Sequence, residues 1–235
     1  TMKIALLGYG RMGKAIEQIA NERGHTIVAK IDKNENQGKL SEAEVAINFS
    51  IPDAAVANIK AAMEKQIPVV CGTTGWLEQL KEVEDFCLQN KTAFLYASNF
   101  SVGVNLFFKL NEVLAKLMHP HKNYSAAMKE IHHIHKLDAP SGTAITLAEG
   151  IFDQSKYTDW SIDDTKGDIT LPIAVERTGE VPGTHSIEYK SSVDSISIQH
   201  EAHSRQGFAL GAVIAAEWIQ DKKGVFTMND VLDIK

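Results

Sequence analysis

A glycine turn, Gly8-Tyr9-Gly10-Arg11-Met12-Gly13, stands between an apolar run, Lys3 to Leu7, and a stretch where Met12, Ile16, Ile19 and Ala20 recur at helical spacing. A G-x-G-x-x-G placed between a strand and a helix restricts the fold strongly. Its glycines permit a tight turn and the close approach of a pyrophosphate, whose charge the free amides at the helix start stabilise. The same spacing also serves plain structural turns, so the surrounding pattern decides. Four more near-continuous apolar runs follow: Thr26 to Ile31, Val45 to Phe49, Val69 to Cys71 and Ala93 to Ala97. Runs of that kind suit strands covered on both faces. Between two of them, Ala55, Ile59, Ala62 and Met63 return to helical spacing. Residues up to about 99 therefore read as βαβ repetition, an α/β unit on a Rossmann-type parallel sheet.

Asp32 ends the second run, 19 residues beyond Gly13. A dinucleotide fingerprint expects a carboxylate here to accept hydrogen bonds from the adenosine ribose. Lys33 follows at once. The carboxylate favours NAD by repelling a 2′-phosphate, whereas the lysine would pair with that phosphate. NADH, NADPH or both are the expected cofactors, and a solvated Asp-Lys turn is the bland alternative.

The second half reads differently. Ile169 to Arg177, His185 to Lys190 and Ser195 to His200 alternate apolar and polar residues, and Gly179, Pro182 and Gly183 separate the first two runs. That predicts an α+β unit on an antiparallel sheet, the first two strands joined by a long hairpin loop. Phe208 to Ile219 is again helical, with Leu210, Val213, Ile214 and Ile219 available to bury.

The densest chemistry lies in Glu130-Ile131-His132-His133-Ile134-His135-Lys136-Leu137-Asp138. If Met128 to His135 is a strand, His132 faces away from His133 and His135, so the three imidazoles do not share one metal. A zinc site would need His133, His135 and a distant ligand, and neither Cys71 nor Cys87 is near; no metal is expected. Pro140 looks like the start of a helix running to about Phe152 with Ala144, Leu147, Ala148 and Ile151 on one face, and the amides around Ser141 to Thr143 would hold a carboxylate. A structural cap is the alternative there. Histidine titrates near neutrality and suits proton transfer, while lysine supplies positive charge toward an anionic substrate.

The segment EIHHIHKLDAPSGTA, Glu130 to Ala144, resembles the signature of the dihydrodipicolinate reductases, enzymes of bacterial lysine and diaminopimelate formation. GYGRMG, Asp32 with Lys33, CGTTGW at Cys71 to Trp76 and ASNFSVGVN at Ala97 to Asn105 agree in order and spacing, so the resemblance spans nearly the whole chain. The glycine turn is one residue shorter than in many members. The resemblance implies hydride transfer from NADH or NADPH to a small cyclic dicarboxylate, 4-hydroxytetrahydrodipicolinate, giving tetrahydrodipicolinate. It implies His132 as proton donor and acceptor, Lys136 as a second acid, and His133, Gly142 and Thr143 as substrate contacts. It assigns Gly8, Tyr9, Gly10, Arg11, Met12, Gly13, Asp32, Lys33, Gly72, Thr73, Thr74, Ala97, Ser98, Asn99 and Phe100 to the cofactor. It further implies a dinucleotide-binding domain of residues 1–101 with 208–235, a substrate and oligomerisation domain of residues 102–207, and a homotetramer built through the antiparallel sheets.

Two other readings share the glycine turn. A two-domain aspartate or homoserine dehydrogenase would lack the HHIHK segment, and an NAD(H)-sensing regulator would carry a DNA-reading element or a basic patch. With 30 acidic against 24 basic residues, a net charge of -6 and no long Lys/Arg run, nucleic acid is not an expected partner. No window approaches the ~20 apolar residues of a membrane span. Two cysteines in apparent core elements fit buried thiols in the cytoplasm better than a disulfide framework.

Overall fold

The computed structural model describes residues 1–33, 35–162 and 167–234. The chain divides into two compact units, Thr1–Val102 with Gln206–Lys235, and Gly103–Arg205.

The first unit begins with β1 (Lys3–Leu7), α1 (Arg11–Glu22), β2 (Thr26–Asp32), β3 (Glu35–Gly38), β4 (Val45–Asn48), α2 (Pro52–Met63), β5 (Val69–Cys71), α3 (Leu80–Gln89) and β6 (Ala93–Tyr96). The second holds most of α4 (Val102–Met118), then β7 (Ser125–His132), α5 (Gly142–Phe152), β8 (Asp159–Ile162), β9 (Thr170–Arg177), β10 (Gly183–Lys190) and β11 (Ser195–Ala202). The chain then returns to the first unit through α6 (Gln206–Ile219), β12 (Gly224–Phe226) and α7 (Met228–Val231).

The first sheet runs β12-β6-β5-β4-β1-β2-β3 and is parallel except where β3 pairs with β2. The near-continuous apolar runs have a direct cause in β1. Ile4 and Leu6 join a core with Ile16 and Ala20 of α1 and Val213 and Ala216 of α6. Ala5 and Leu7 join the opposite core with Ile59 and Met63 of α2 and Val83 of α3. Each buried Leu or Ile contributes about 1.5 to 3 kcal/mol, so both faces must stay apolar.

Of the α6 residues expected to bury, Val213 and Ile219 do, while Leu210 is 36% exposed. The buried face is instead made of Ala209, Gly211, Ala212, Ala215 and Ala216 with Val213 and Ile219. Close approach explains this: a Cβ on Gly211 would lie 1.6 Å from the carbonyl oxygen of Phe100.

The second sheet runs β11-β10-β7-β9-β8 and is mixed. β10 pairs antiparallel with β11 and β7, whereas β9 pairs parallel with β7 and β8. The hairpin expected between β9 and β10 is absent, because β7 lies between them and bonds to both. The connection from Arg177 to Gly183 passes the end of β7, where Thr178 N donates to His132 O (2.9 Å) and Ile134 N to Gly179 O (3.2 Å). Glycine and proline mark a turn but do not say what it spans. Helices α4 and α5 cover one face of this sheet over Met128, Leu171, Ile173 and Ile187.

Candidate active site

In the parallel sheet, β1 leads to β2 on one side while β4 lies on its other side, so the connections part beside β1. Ligands of open α/β sheets bind outside the strand ends at such a point. A cleft of about 550 Å³ lies there, lined by Gly8, Gly10, Asp32, Lys33, Phe49 and Ser50 among others. The glycines differ in purpose. A Cβ on Gly13 would lie 2.6 Å from Gly8 O, so Gly13 seats α1 on the strand, whereas a Cβ on Gly10 would meet nothing within 4 Å. Open space above Gly10, next to the unpaired first amides of α1, is the room a pyrophosphate requires. This donor set fits a nicotinamide dinucleotide.

Asp32 is held at the cleft by Tyr9 N, which donates to Oδ2 (2.6 Å), and by Lys33 N, which donates to Oδ1 (2.6 Å). The side chain of Tyr9 is turned away from that role: its hydroxyl bonds Glu17 and receives a hydrogen bond from Lys30 Nζ (3.2 Å), which also lies 4.5 Å above the ring. Arg11 is exposed at the first turn of α1, and Met12 packs against the core.

Gly72, Thr73 and Thr74 follow β5, and Ala97, Ser98, Asn99 and Phe100 follow β6, at the same edge of the sheet. Thr73 is buried and braces the neighbouring loop, its Oγ1 accepting from Ser50 N (2.9 Å) and Asn48 Nδ2 (3.2 Å). Phe100 is buried against Phe49, ring centroids 5.7 Å apart, and a Cβ on Gly72 would lie 2.2 Å from the Phe49 ring. Thr74 and Ser98 are exposed. The lining residues Phe49, Ser50 and Asn36 escape sequence reasoning, because a short loop after an apolar strand carries no signature.

The second constellation lies in the other unit. The strand expected to reach His135 ends at His132, since the carbonyl of His132 is taken by Thr178 and residues 133–136 close a turn through Lys136 N and His133 O (3.1 Å). His132 is buried at the strand's inner face. His133 and His135 sit in the turn, their rings 6.2 Å apart. His132 thus lies on the strand and His133 and His135 in the turn after it, so the alternation expected to part them does not extend over residues 133–135. Lys136 Nζ pairs with Asp138 Oδ1 (2.8 Å).

Glu130 shares the inner face with His132 and is fully buried. Register brings it opposite His185 of β10, and brings His132 opposite Arg177 of β9. Arg177 Nη2 donates to Glu130 Oε1 (2.8 Å) and to Asp138 O (2.8 Å). Ser141 N donates to Oε2 (3.0 Å), Ser141 Oγ lies 3.1 Å from His185 Nε2, and the His132 and His185 rings meet edge to face at 4.9 Å. Burial alone would raise the Glu130 carboxyl, but hydrogen bonds from His185, Ser141 and Arg177 hold it well below the usual carboxylate range. Burial pushes His132 down to about 4; His185, Lys136 and Arg177 act the same way, and Glu130 opposes them. His132 is therefore a neutral imidazole at pH 7 in the free protein. Glu130, His132 and His185 have the spacing of a metal set, with the Glu130 carboxylate engaged on both oxygens by Arg177 and the Ser141 amide.

Helix α5 starts at Gly142, two residues later than expected. Ser141 is the N-cap, its Oγ accepting from Ala144 N (3.1 Å), and Pro140 lies outside the helix after a cis peptide bond. Because Glu130 takes the Ser141 amide, the amides left for an anion are those of Gly142, which is exposed, and Thr143, half-buried. Glu130, Arg177, His185 and Asp138 were not singled out from the sequence as site residues, and Ser141, whose amide was expected to help hold a substrate carboxylate, gives that amide to Glu130. Period two in β7 does place Glu130 beside His132, but naming its partners needs the register.

A dinucleotide cleft at the switch point of a parallel sheet, and a separate unit with a buried His/Glu/Arg network tied to the start of α5, define an NAD(P)H-dependent oxidoreductase of two-unit build. Residues 2–100 match the family model "Dihydrodipicolinate reductase, N-terminus" and residues 103–232 match "Dihydrodipicolinate reductase, C-terminus". The chain belongs to the dihydrodipicolinate reductase family. It is 53% identical over 234 residues to the 4-hydroxy-tetrahydrodipicolinate reductase of Christiangramia forsetii, with 98% of each chain covered. It is 35% identical to that of Archaeoglobus fulgidus, over 99% of this chain and all of the relative. A solved structure of dipicolinate-bound dihydrodipicolinate reductase from Paenisporosarcina sp. TG-14 superposes with a TM-score of 0.78 over 97% of each chain, at 21% identity, a likeness of fold.

Proposed function

We propose that the protein reduces 4-hydroxytetrahydrodipicolinate to tetrahydrodipicolinate with NADH or NADPH, in lysine and diaminopimelate formation. The observation that carries this is His132, a neutral, buried imidazole with Glu130 at its back and Lys136 beside it, in a chain 53% identical to a reductase of that name. When bound, the dinucleotide supplies the hydride. Loss of the 4-hydroxyl group as water leaves an unsaturated imine, and hydride addition to that builds electron density that a proton must meet. His132 transfers that proton, and Lys136 acts as a second acid and a fixed positive charge. His133 and the amides of Gly142 and Thr143 hold the carboxylates. Gly8 to Gly13, Asp32, Lys33, Gly72 to Thr74 and Ala97 to Phe100 form the cofactor side.

The test is loss of nicotinamide absorbance when the purified protein meets NADH, or NADPH, with freshly made 4-hydroxytetrahydrodipicolinate. Rapid oxidation supports the assignment; NADH binding without oxidation overturns it. Lys33 offers a separable prediction. Its backbone amide anchors Asp32 and its exposed side chain reaches the cleft, so Lys33→Ala removes a charge and leaves the cradle. NADPH affinity should fall about tenfold, one lost charge-assisted pair, with NADH nearly unchanged. Equal losses for both cofactors would refute a 2′-phosphate contact.

The reading includes a homotetramer joined through the mixed sheet, whose face opposite α4 and α5 carries exposed Lys129, Glu188 and Lys190. Sedimentation should return a mass of four chains, and a monomer would remove this part. It also places the enzyme in the cytoplasm, in keeping with two buried free cysteines. Among the described residues no helix is long and apolar enough to cross a membrane.

A further inference from the structure

We propose that Glu130 is the positioning residue of the proton-transfer step: its carboxylate keeps His132 protonated at Nδ1 with Nε2 presented to substrate, and also holds the amide that precedes the anion-binding turn of α5. This rests on the reading that His132 carries the proton.

Geometry distinguishes the two nitrogens of His132. Nδ1 is buried, has no hydrogen-bond partner, and lies 3.7 Å from Glu130 Oε2. Nε2 points toward Gly183, where an added Cβ would sit 3.1 Å away. A proton on Nδ1 faces a carboxylate, whereas a lone pair there would face the same negative charge, so the Nδ1–H tautomer is favoured and Nε2 is left to take a proton from solvent and pass it to the substrate after hydride addition. The groups around His132 are Glu130 on its own strand, His185 on β10, Arg177 on β9, and Lys136 with Asp138 in the turn. Of these, Glu130 is the anion in the buried network, and it stabilises the imidazolium that forms when Nε2 takes a proton. Arg177 and Ser141 N fix both carboxylate oxygens, so the carboxylate cannot turn away. A buried acid used only to neutralise Arg177 would not need to contact the Ser141 amide and His132 as well.

Glu130→Gln tests this, together with Glu130→Gln/Arg177→Met, which avoids leaving a buried guanidinium unpaired. Folding of the unit that carries Glu130 is read by circular dichroism and a cooperative thermal transition, and NADH affinity reports the other unit. In both variants kcat should fall on the order of 100-fold with KM within about threefold. Nitrogen-15 spectra should show His132 losing its Nδ1–H tautomer, and its titration should move to lower pH. The proposal is overturned if the folded double variant keeps its tautomer and a kcat within about twofold of wild type. It is also overturned if KM alone rises, which would reduce Glu130 to a brace for the turn. Should the unmodified enzyme fail to oxidise NADH with this substrate, the reaction reading falls, and the His132 tautomer alone then decides the role of Glu130.

Discussion

His132→Gln should lower kcat by roughly 10² to 10⁴-fold, the range for loss of a positioned acid or base, while the dissociation constant for NADH stays at its wild-type value. The split follows from the architecture. His132 ends β7 in one unit and touches Glu130, His185 and the Arg177 neighbourhood, whereas the dinucleotide cleft is lined from the other. Glutamine keeps a polar side chain of similar reach but cannot exchange a proton near neutrality. The pH dependence adds a second readout. In the free protein His132 is held near 4 by burial and by the charges of His185, Lys136 and Arg177. A bound dicarboxylate offsets those positive charges, so its pKa in the complex must rise. The limb of the kcat profile that reports His132 should therefore lie well above the limb in kcat/KM, and both should vanish in the variant. Turnover within about tenfold of wild type would remove His132 from proton transfer.

Gly8→Ala should be the most damaging single methyl in the cofactor cradle. Gly8 has φ +96, and the added Cβ would lie 2.2 Å from Phe49 O and 2.9 Å from the Ser50 Cα. Those are backbone atoms, pinned by Phe49 N to Leu7 O (2.9 Å) and by Gly8 N to Ile31 O (2.7 Å). Relief requires the loops after β1 and β4 to part at the crevice itself. A backbone penalty and an overpacking penalty together give about 2 to 5 kcal/mol, and folded molecules should bind NADH at least about tenfold more weakly. Gly10→Ala is the contrast, because its Cβ meets nothing within 4 Å in the protein. It should unfold at the wild-type temperature yet lose NADH affinity. A wild-type melting temperature for Gly8→Ala would show that the loops yield freely.

Legibility differed between the two units for a physical reason. In the parallel sheet each strand is apolar on both faces and each helix buries one stripe, so β1, β2, β4, β5 and β6 were readable from local pattern alone. β3 and β12 were not, being edge strands of four and three residues, β3 without an apolar side chain and β12 too short to show a pattern. In the second sheet the alternation of β9, β10 and β11 was visible, but their neighbours were not. A residue's periodicity says which face it occupies and nothing about which strand lies beside it. That is why a hairpin was expected where β7 intervenes. It is also why His132 and Lys136 stood out while Glu130, Arg177 and His185, tens of residues apart, did not.

By itself the sequence determined the class of cofactor, the βαβ repetition and the identity of the His/Lys segment, because glycine spacing, strand burial and a dense polar motif act over a few residues. Only the tertiary structure decided that β7 is central, that Gly10 faces open space while Gly8 and Gly13 face backbone, and that Glu130 meets His132, His185, Arg177 and the Ser141 amide. Strand register and the low dielectric of a packed interior set those relations. Both arise when distant segments close on one another, so no local stretch of sequence encodes them.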